Sequence, residues 1–530
     1  MPAADLVITG AHNWGTDREA IGVRWDRIVP PEIGPRTRVI EAAGKTLLPG
    51  FQDAHVHTPF AGLNRLRIWL NDAEGKDEYL RIVADRAGSG AAAGWLTGGG
   101  WSMAAFPGGT PHKDALDAIV PDRPVFLFNR DVHGAWVNSR ALELAGITAD
   151  TPDPADGRIE RDPRTGEPTG TLHEGAAYWV NEHVIPPPTR AEWEAAILNG
   201  QEHLHSLGIT AWQDAWVTPA TQAAYRSLGD DGRLTAQVRG ALWWDRYRGL
   251  EQIDTLLERR AQGAPGFHPT TVKIMLDGVL ENHTGALLQP YCDGCGGHTA
   301  NTGLAYIDPE LLQQAVVRLD AEGFQAHMHA IGDRAVRMGL DAVQAARSAN
   351  GPSDNRHHIA HLQLVDPDDI PRFAALGVVA NCQMYWAASD QQMQELTIPF
   401  LGPERVRLQY PFASLLRAGT RLAAGSDWSV STANPLAQIE VAATRLDPSD
   451  RDGSPFLTTE SIEVATAVDA FTRGSAYVNH DDAGSLETGR RADLVLLGAN
   501  ITRGELLSGR GLADVPIEMT LASGRVVHGT

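Results

Sequence analysis

The sequence predicts an α/β protein: a (β/α)8 TIM-type barrel, a small β-sandwich domain built from both chain ends, and an insertion after the first barrel strand. Three observations carry this. Apolar strand-like runs alternate with helical stretches through the middle of the chain. Both ends read instead as short strands broken by turns. The gap between the first two central strands is far too long for one crossover helix.

At 530 residues the chain exceeds one ordinary domain, and 43% hydrophobic with 21% charged residues suits a globular protein with a sizeable core. A net charge of −21 argues against a nucleic-acid surface or an anionic membrane as partner but says little about the substrate; a small-molecule substrate is expected, with a homodimer as the base-rate assembly. Three cysteines cannot make a disulfide framework. Met1–Val7 lacks the pattern of a secretory signal, and no run of 18 apolar residues exists. The expectation is a cytoplasmic protein.

In chain order, Ala4–Thr9, Ala20–Trp25, Arg38–Ala42 and Thr46–Leu48 read as strands, as do Asp493–Leu497, Glu518–Ala522 and Arg525–Val527 near the other end. They assign 1–48 with 485–530 to the sandwich. The barrel takes 49–65 with 190–484. Its expected strands are the run ending at His57, then Ile209–Asp214, Ala236–Leu242, Thr271–Leu276, Phe324–His329, His358–Gln363, Val378–Cys382 and Leu422–Asp427. Arg190–Leu207, Pro309–Glu322, Asp333–Ala346 and Asp366–Leu376 read as covering helices. Residues 66–189, turn-rich over Thr151–Thr171, form the inserted subdomain, expected over the barrel mouth.

Barrel chemistry sits at the C-terminal strand ends, and these carry unusual side chains. The first strand ends in His55-Val56-His57, two imidazoles on one face. Lys273 lies within the apolar fourth strand, where a lysine is costly unless paired, neutral or modified. It reads either as an ion-pair partner of Asp427 or as an amine whose burial lowers its pKa enough to react with CO2. His327 and His329 share a face of the fifth strand, but only His329 reaches its end. The same reasoning prefers His361 on the sixth, and Asp427 closes the eighth.

His, His, Lys, His, His and Asp in this strand order resemble the ligand set of the amidohydrolase superfamily. Gly98–Trp101, Pro121–Val125, Asn138–Leu142, Asp277-Gly278, His329–Ala335 and Gly425–Asp427 resemble its YtcJ-like, N-substituted formamide deformylase-like branch. The resemblance implies that His55, His57 and Asp427 hold one divalent metal and His329 and His361 a second. Carboxylated Lys273 would bridge the two ions, and zinc suits the imidazole-rich set. It implies hydrolysis of a non-peptide C–N bond through a metal-bridging hydroxide, with Asp427 as the catalytic proton carrier. A mononuclear deaminase, which needs no bridging lysine, and a non-catalytic regulator on the same scaffold are the competing expectations.

His133 in the insertion, His283 after the Asp277-Gly278 turn, and Trp428 are candidate substrate-binding residues; Trp216, Trp386 and Trp428 are placed to wall an apolar pocket. His203 and His205 lie on a predicted helix, where residues two apart cannot converge on one ion. Cys292, Cys295 and His298 resemble part of a zinc knuckle, but a loop with free thiols is the simpler reading. Gly98-Gly99-Gly100 lacks the Lys-Ser/Thr of a phosphate loop.

Overall fold

The computed structural model describes residues 2–89, 94–502 and 511–529. Its centre is an eight-stranded parallel sheet whose strand order follows the chain order. The strands are Phe51–Val56, Ile209–Val217, Gln237–Trp243, Phe267–Met275, Gln325–Ala330, His358–His361, Val379–Cys382 and Leu422–Ala424. Each expected barrel strand is present to within a few residues, and the (β/α)8 fold class stands. The eighth is the shortest, ending at Ala424 rather than Asp427. Among the expected helices, Arg190–Ser206 starts at a complete capping box, Thr189 with Glu192. The helix expected over Asp366–Leu376 begins only at Ile370, because Pro371 lacks the N–H that an earlier turn would need and fits the first turn instead.

The first and eighth strands meet across the barrel seam through polar atoms at their ends. Asp53 Oδ1 accepts the N–H of His55 at 2.9 Å and that of Ser426 at 3.0 Å. The Asp427 N–H donates to the His55 carbonyl at 2.8 Å, and the His57 N–H to the Trp428 carbonyl at 2.9 Å. Gly425 is required here: a Cβ would stand 2.6 Å from His55 Cβ and 2.8 Å from Gln383 Nε2. The two strand ends can then approach closely enough to share a site.

Segments from both chain ends build two further sheets. One joins Arg27–Val29, Ala20–Arg24, Leu6–Thr9 and Arg38–Glu41; the other joins His12–Asn13, Thr46–Pro49, Leu494–Leu497, Ile517–Ala522 and Arg525–Gly529. Ile8, Val23, Leu47, Leu494 and Leu521 share one buried cluster, so the sheets enclose a core of their own. Leu48 pairs with Val495 in antiparallel register, and the Gly50 N–H donates to the Asp493 carbonyl at 2.7 Å just before the first barrel strand.

After the first barrel strand, helix Thr58–Leu66 leads into a six-stranded sheet ordered Gly157–Arg161, Pro168–Glu174, Gly134–Val137, Val125–Asn129, Leu96–Trp101 and Ile68–Trp69. Trp101, Phe106, Leu127 and Trp136 form part of its separate core. Among the described residues no helix is long and apolar enough to cross a membrane.

Candidate metal centre

Five sequence-predicted side chains converge at the barrel mouth. Asp427 Oδ1 lies 3.0 Å from His57 Nε2 and 3.3 Å from His55 Nε2, and Oδ2 lies 3.8 Å from His361 Nδ1. The ring centroids of His329 and His361 are 4.4 Å apart. His55, His361 and Asp427 each offer a ligand atom within 4.8 Å of the others, a spacing that one cation can span. His361 and Asp427 both sit at positive φ, +81° and +54°, outside the conformations a non-glycine residue prefers. Such backbone persists only where surroundings over-determine it, and here it turns both side chains inward from strand ends.

The donor set fits a metal. Among the described residues, His55 Nε2, His57 Nδ1, His361 Nδ1 and Asp427 Oδ1 are buried without a hydrogen bond. Unsatisfied buried polar atoms are destabilising, and a cation here would satisfy several lone pairs together. Burial holds the imidazoles neutral: His55 is pushed down to about 3, and His329 and His361 well below the usual value. Burial pushes the Asp427 carboxyl up, but His55 and His57 outweigh it and hold the group well below the usual carboxylate range. Neutral imidazoles and an ionised carboxylate are the forms that bind a metal.

Lys273 faces the same space from the fourth strand, in register with His327 on the fifth. It is 1% exposed, and it makes no hydrogen bond or ion pair among the described residues. Burial lowers its pKa to about 7, opposed only by the Asp427 charge. The ion pair with Asp427 that the sequence left open is not formed in this structure. His329 points its Nε2 at the Gly278 carbonyl, 3.2 Å away, with Asp277 Oδ1 at 3.5 Å. Asp277 accepts the N–H groups of Ala286, Ile331 and Gly332, which fixes the turn that follows His329 at the end of the fifth strand.

From the insertion, His133 reaches the centre with its ring 5.8 Å from that of His329. Its Nδ1 donates to Glu174 Oε2 at 2.8 Å, and Glu174 also accepts from Thr284 Oγ1 at 2.8 Å. Burial opposes charge on His133, but Glu174 and then Asp131 outweigh it and raise the imidazole to about 9. The contact favours the charged form of His133, which is buried against Glu174, a residue at positive φ (+52°).

These groups open into a cavity of about 890 Å3. Phe60, Tyr178, Trp216, Trp243, Trp386 and Val430 supply much of its apolar wall. Trp386 stacks on His361 with the planes 4° apart. The structure brings His55, His57, Lys273, His329, His361, Asp427 and His133 to this cavity, but not His283 or Trp428. The His283 ring packs against Phe400 and Tyr291, and Trp428 packs on His203 and Trp69. Of the three expected wall tryptophans, Trp216 and Trp386 line the space and Trp428 does not. His205 bonds the Ile209 carbonyl and Thr235, away from the centre. Cys292 and Cys295 are free thiols, with Cys292 Sγ 3.9 Å from His298 Nδ1. Glu174, Asp131 and Gln213 contribute polar contacts that sequence reasoning missed. Each lies in a segment without a motif, and only the fold reveals that they face the barrel.

The chain is similar to several known proteins. A model described as the amidohydrolase family matches residues 38–528. The protein LONG AFTER FAR-RED 3 of Arabidopsis thaliana is 32% identical, covering 94% of this chain and 88% of that one. The putative amidohydrolase YtcJ of Bacillus subtilis is 28% identical over 95% and 93%. N-substituted formamide deformylase of Arthrobacter pascens is 26% identical over 87% and 85%. Among solved structures, an uncharacterized metal-dependent hydrolase from Pyrococcus horikoshii superposes with a TM-score of 0.72 at 21% identity, covering 99% of this chain and all of that one.

Proposed function

The chain belongs to the amidohydrolase family, and on that premise we propose that it hydrolyses a non-peptide C–N bond, an amide or N-formyl group, in a small uncharged or amine-bearing molecule, using two divalent metal ions. The observation that carries this reading is the set of buried, unpartnered ligand atoms on His55, His57, His361 and Asp427 beside an unpaired Lys273. The relative named N-substituted formamide deformylase supports the choice of bond. His55, His57 and Asp427 would hold one ion and His329 and His361 the other, with Lys273, carboxylated, between them. Bound there, divalent ions such as zinc activate water and polarise a carbonyl.

The chain's own residues supply the rest. Asp427, ionised and within 3.0 Å of His57, takes the proton of the attacking water and returns it to the departing nitrogen. The C–N bond breaks, a C–O bond forms, and acid and amine leave. The His133 imidazolium, braced by Glu174, donates to the substrate carbonyl oxygen, where negative charge develops. The aromatic wall holds the apolar part of the substrate. Arg246 also lines the cavity, but it is already bonded to Asp156, and the acidic residues Asp131, Asp153, Glu182 and Asp245 line the same cavity. That lining favours neutral or cationic substrates over carboxylates.

A second reading, one metal and a deaminase reaction, is favoured by the compactness of the His55–His361–Asp427 group and by His329 turning towards Gly278. Metal analysis combined with a panel of formamides, amides, cyclic imides and amino-heterocycles separates the two. The expected result is close to two ions per chain, loss of turnover on chelation, recovery with zinc, and amine with formate or another acid as products. Full turnover in a demonstrably metal-free sample would overturn the reading. His133→Phe is expected to lower kcat by about 10²–10³-fold, the scale of one lost oxyanion donor, with metal content unchanged. Equal rates for His133→Phe and wild type would remove His133 from the mechanism.

A further inference from the structure

Below the candidate centre, the inside of the barrel is polar rather than filled with branched apolar side chains. His327, Gln213, His358, Asn381 and Gln325 are all buried there and hydrogen-bonded to one another. The donors and acceptors along this ladder can be assigned from fixed points. Gln325 Nε2 donates to two backbone carbonyls, those of Arg356 at 2.8 Å and Val478 at 2.9 Å. Its Oε1 therefore faces Gln213 Nε2, 3.0 Å away. Gln213 in turn must present Oε1 to the two histidines above it.

That oxygen lies 2.7 Å from His327 Nδ1 and 3.0 Å from His358 Nε2, so both nitrogens carry protons. The other end of the ladder gives the same answer independently. Asn381 Nδ2 donates to the Ala54 carbonyl at 2.8 Å and lies 3.2 Å from His358 Nδ1. His358 Nδ1 is then an acceptor and His358 Nε2 a donor. No carboxylate contacts His327 among the described residues, so its ring carries the single proton on Nδ1. Its Nε2, 2.8 Å from His55 Nδ1, can only accept. His55 must therefore hold its proton on Nδ1 and leave Nε2, the atom facing Asp427, as a lone pair.

We propose that Gln213 and His327 are positioning residues that lock His55 in the tautomer presenting Nε2 to a metal ion. Imidazole in water populates both tautomers, and the wrong one would place a proton between His55 and the ion. A histidine ligand normally has its second nitrogen fixed by a carboxylate or a carbonyl. Here a second, uncharged histidine does so, and its own tautomer is set by an amide tied to backbone carbonyls. The arrangement orients the ligand without adding a buried negative charge beneath a centre that already holds Asp427. The inference rests on His55 being a metal ligand.

The test is zinc affinity of the full-length apoprotein, measured by competition with a chromogenic chelator, for wild type, Gln213→Leu, His327→Phe, Gln213→Glu and His55→Ala. Gln213→Leu and His327→Phe are expected to bind zinc about 10–100-fold more weakly, the range for lost outer partners of a ligating histidine. Gln213→Glu is the contrasting variant: its carboxylate against His327 favours a second proton on His327 Nε2, which turns that atom into a donor towards His55, so the affinity is expected to stay low. Ring-nitrogen NMR of 15N-histidine-labelled wild-type apoprotein gives a second readout that a packing role would not produce. The His55 signal, identified by its loss in His55→Ala, should report a proton on Nδ1. A proton on Nε2, or wild-type affinity in Gln213→Leu and His327→Phe with affinity lost in His55→Ala, overturns the proposal. Wild-type affinity in His55→Ala itself overturns the metal reading instead.

Discussion

Asp427→Asn is expected to lose about 10²–10⁴-fold in turnover, the usual scale for a general acid–base group, while the protein stays folded and still binds metal through His329 and His361. The change is nearly isosteric and keeps one oxygen towards the imidazoles. It removes the charge and the proton-accepting oxygen. The Asp427 N–H to His55 carbonyl bond is made by the backbone and survives, so the seam between the first and eighth strands remains. Metal stoichiometry and turnover on one preparation decide the point. Turnover like wild type would take the proton-carrier role away from Asp427. Loss of both ions with unfolding would make its role structural.

Lys273→Ala is expected to lose turnover by about 10²-fold or more, as removal of a group that holds the metals should, with partial recovery on adding acetate or propionate. The proposed carboxylation would add CO2 to the amine: the nitrogen bonds to carbon, a proton leaves, and an anionic carbamate results. That reaction needs the neutral amine, and burial lowers Lys273 to about 7, so a large share is neutral at physiological pH. A short carboxylic acid can occupy the space the alanine leaves and offer two oxygens in the carbamate's place. Lys273→Met is the control, because it fills the same space without an amine. It is expected to be inactive and deaf to added acid. Activity in the methionine variant would show that the side chain matters for packing alone.

The barrel and the histidines gathered at its mouth were legible in the sequence because they obey period-two alternation. His55 and His57, His327 and His329, and the apolar residues between them mark strands whose ends share one face. The position of Lys273 was readable for the same reason: a lysine in Thr271–Met275 conflicts with its neighbours unless something needs it. His283 and Trp428 show the limit. Both follow strand ends, yet both sit at or beside turns whose geometry swings their rings into other packing, against Phe400 and His203. Glu174 was invisible, since it is one of many acidic residues in the insertion until the fold sets it against His133. His327 was visible but passed over, because sequence reasoning ranks side chains by their distance from the strand end. It lies one layer down, where its Nε2 is 2.8 Å from His55 Nδ1.

The pairing of Thr46–Pro49 with Leu494–Leu497 bears on the order in which the molecule can be made. Thr46 also accepts the N–H of Ile501, 455 positions further along the chain. The strand leading into His55 is thus clamped by residues made long after it. Closing so large a loop costs only slightly more entropy than closing a moderate one, but contacts so distant in sequence form slowly. Throughout synthesis Leu47 and Leu48 wait without their partners, and a growing chain with unpaired apolar strands is prone to aggregate. Leu494–Leu497 lies outside the barrel, yet its pairing with Thr46–Pro49 bears on when the strand that carries His55 stops moving.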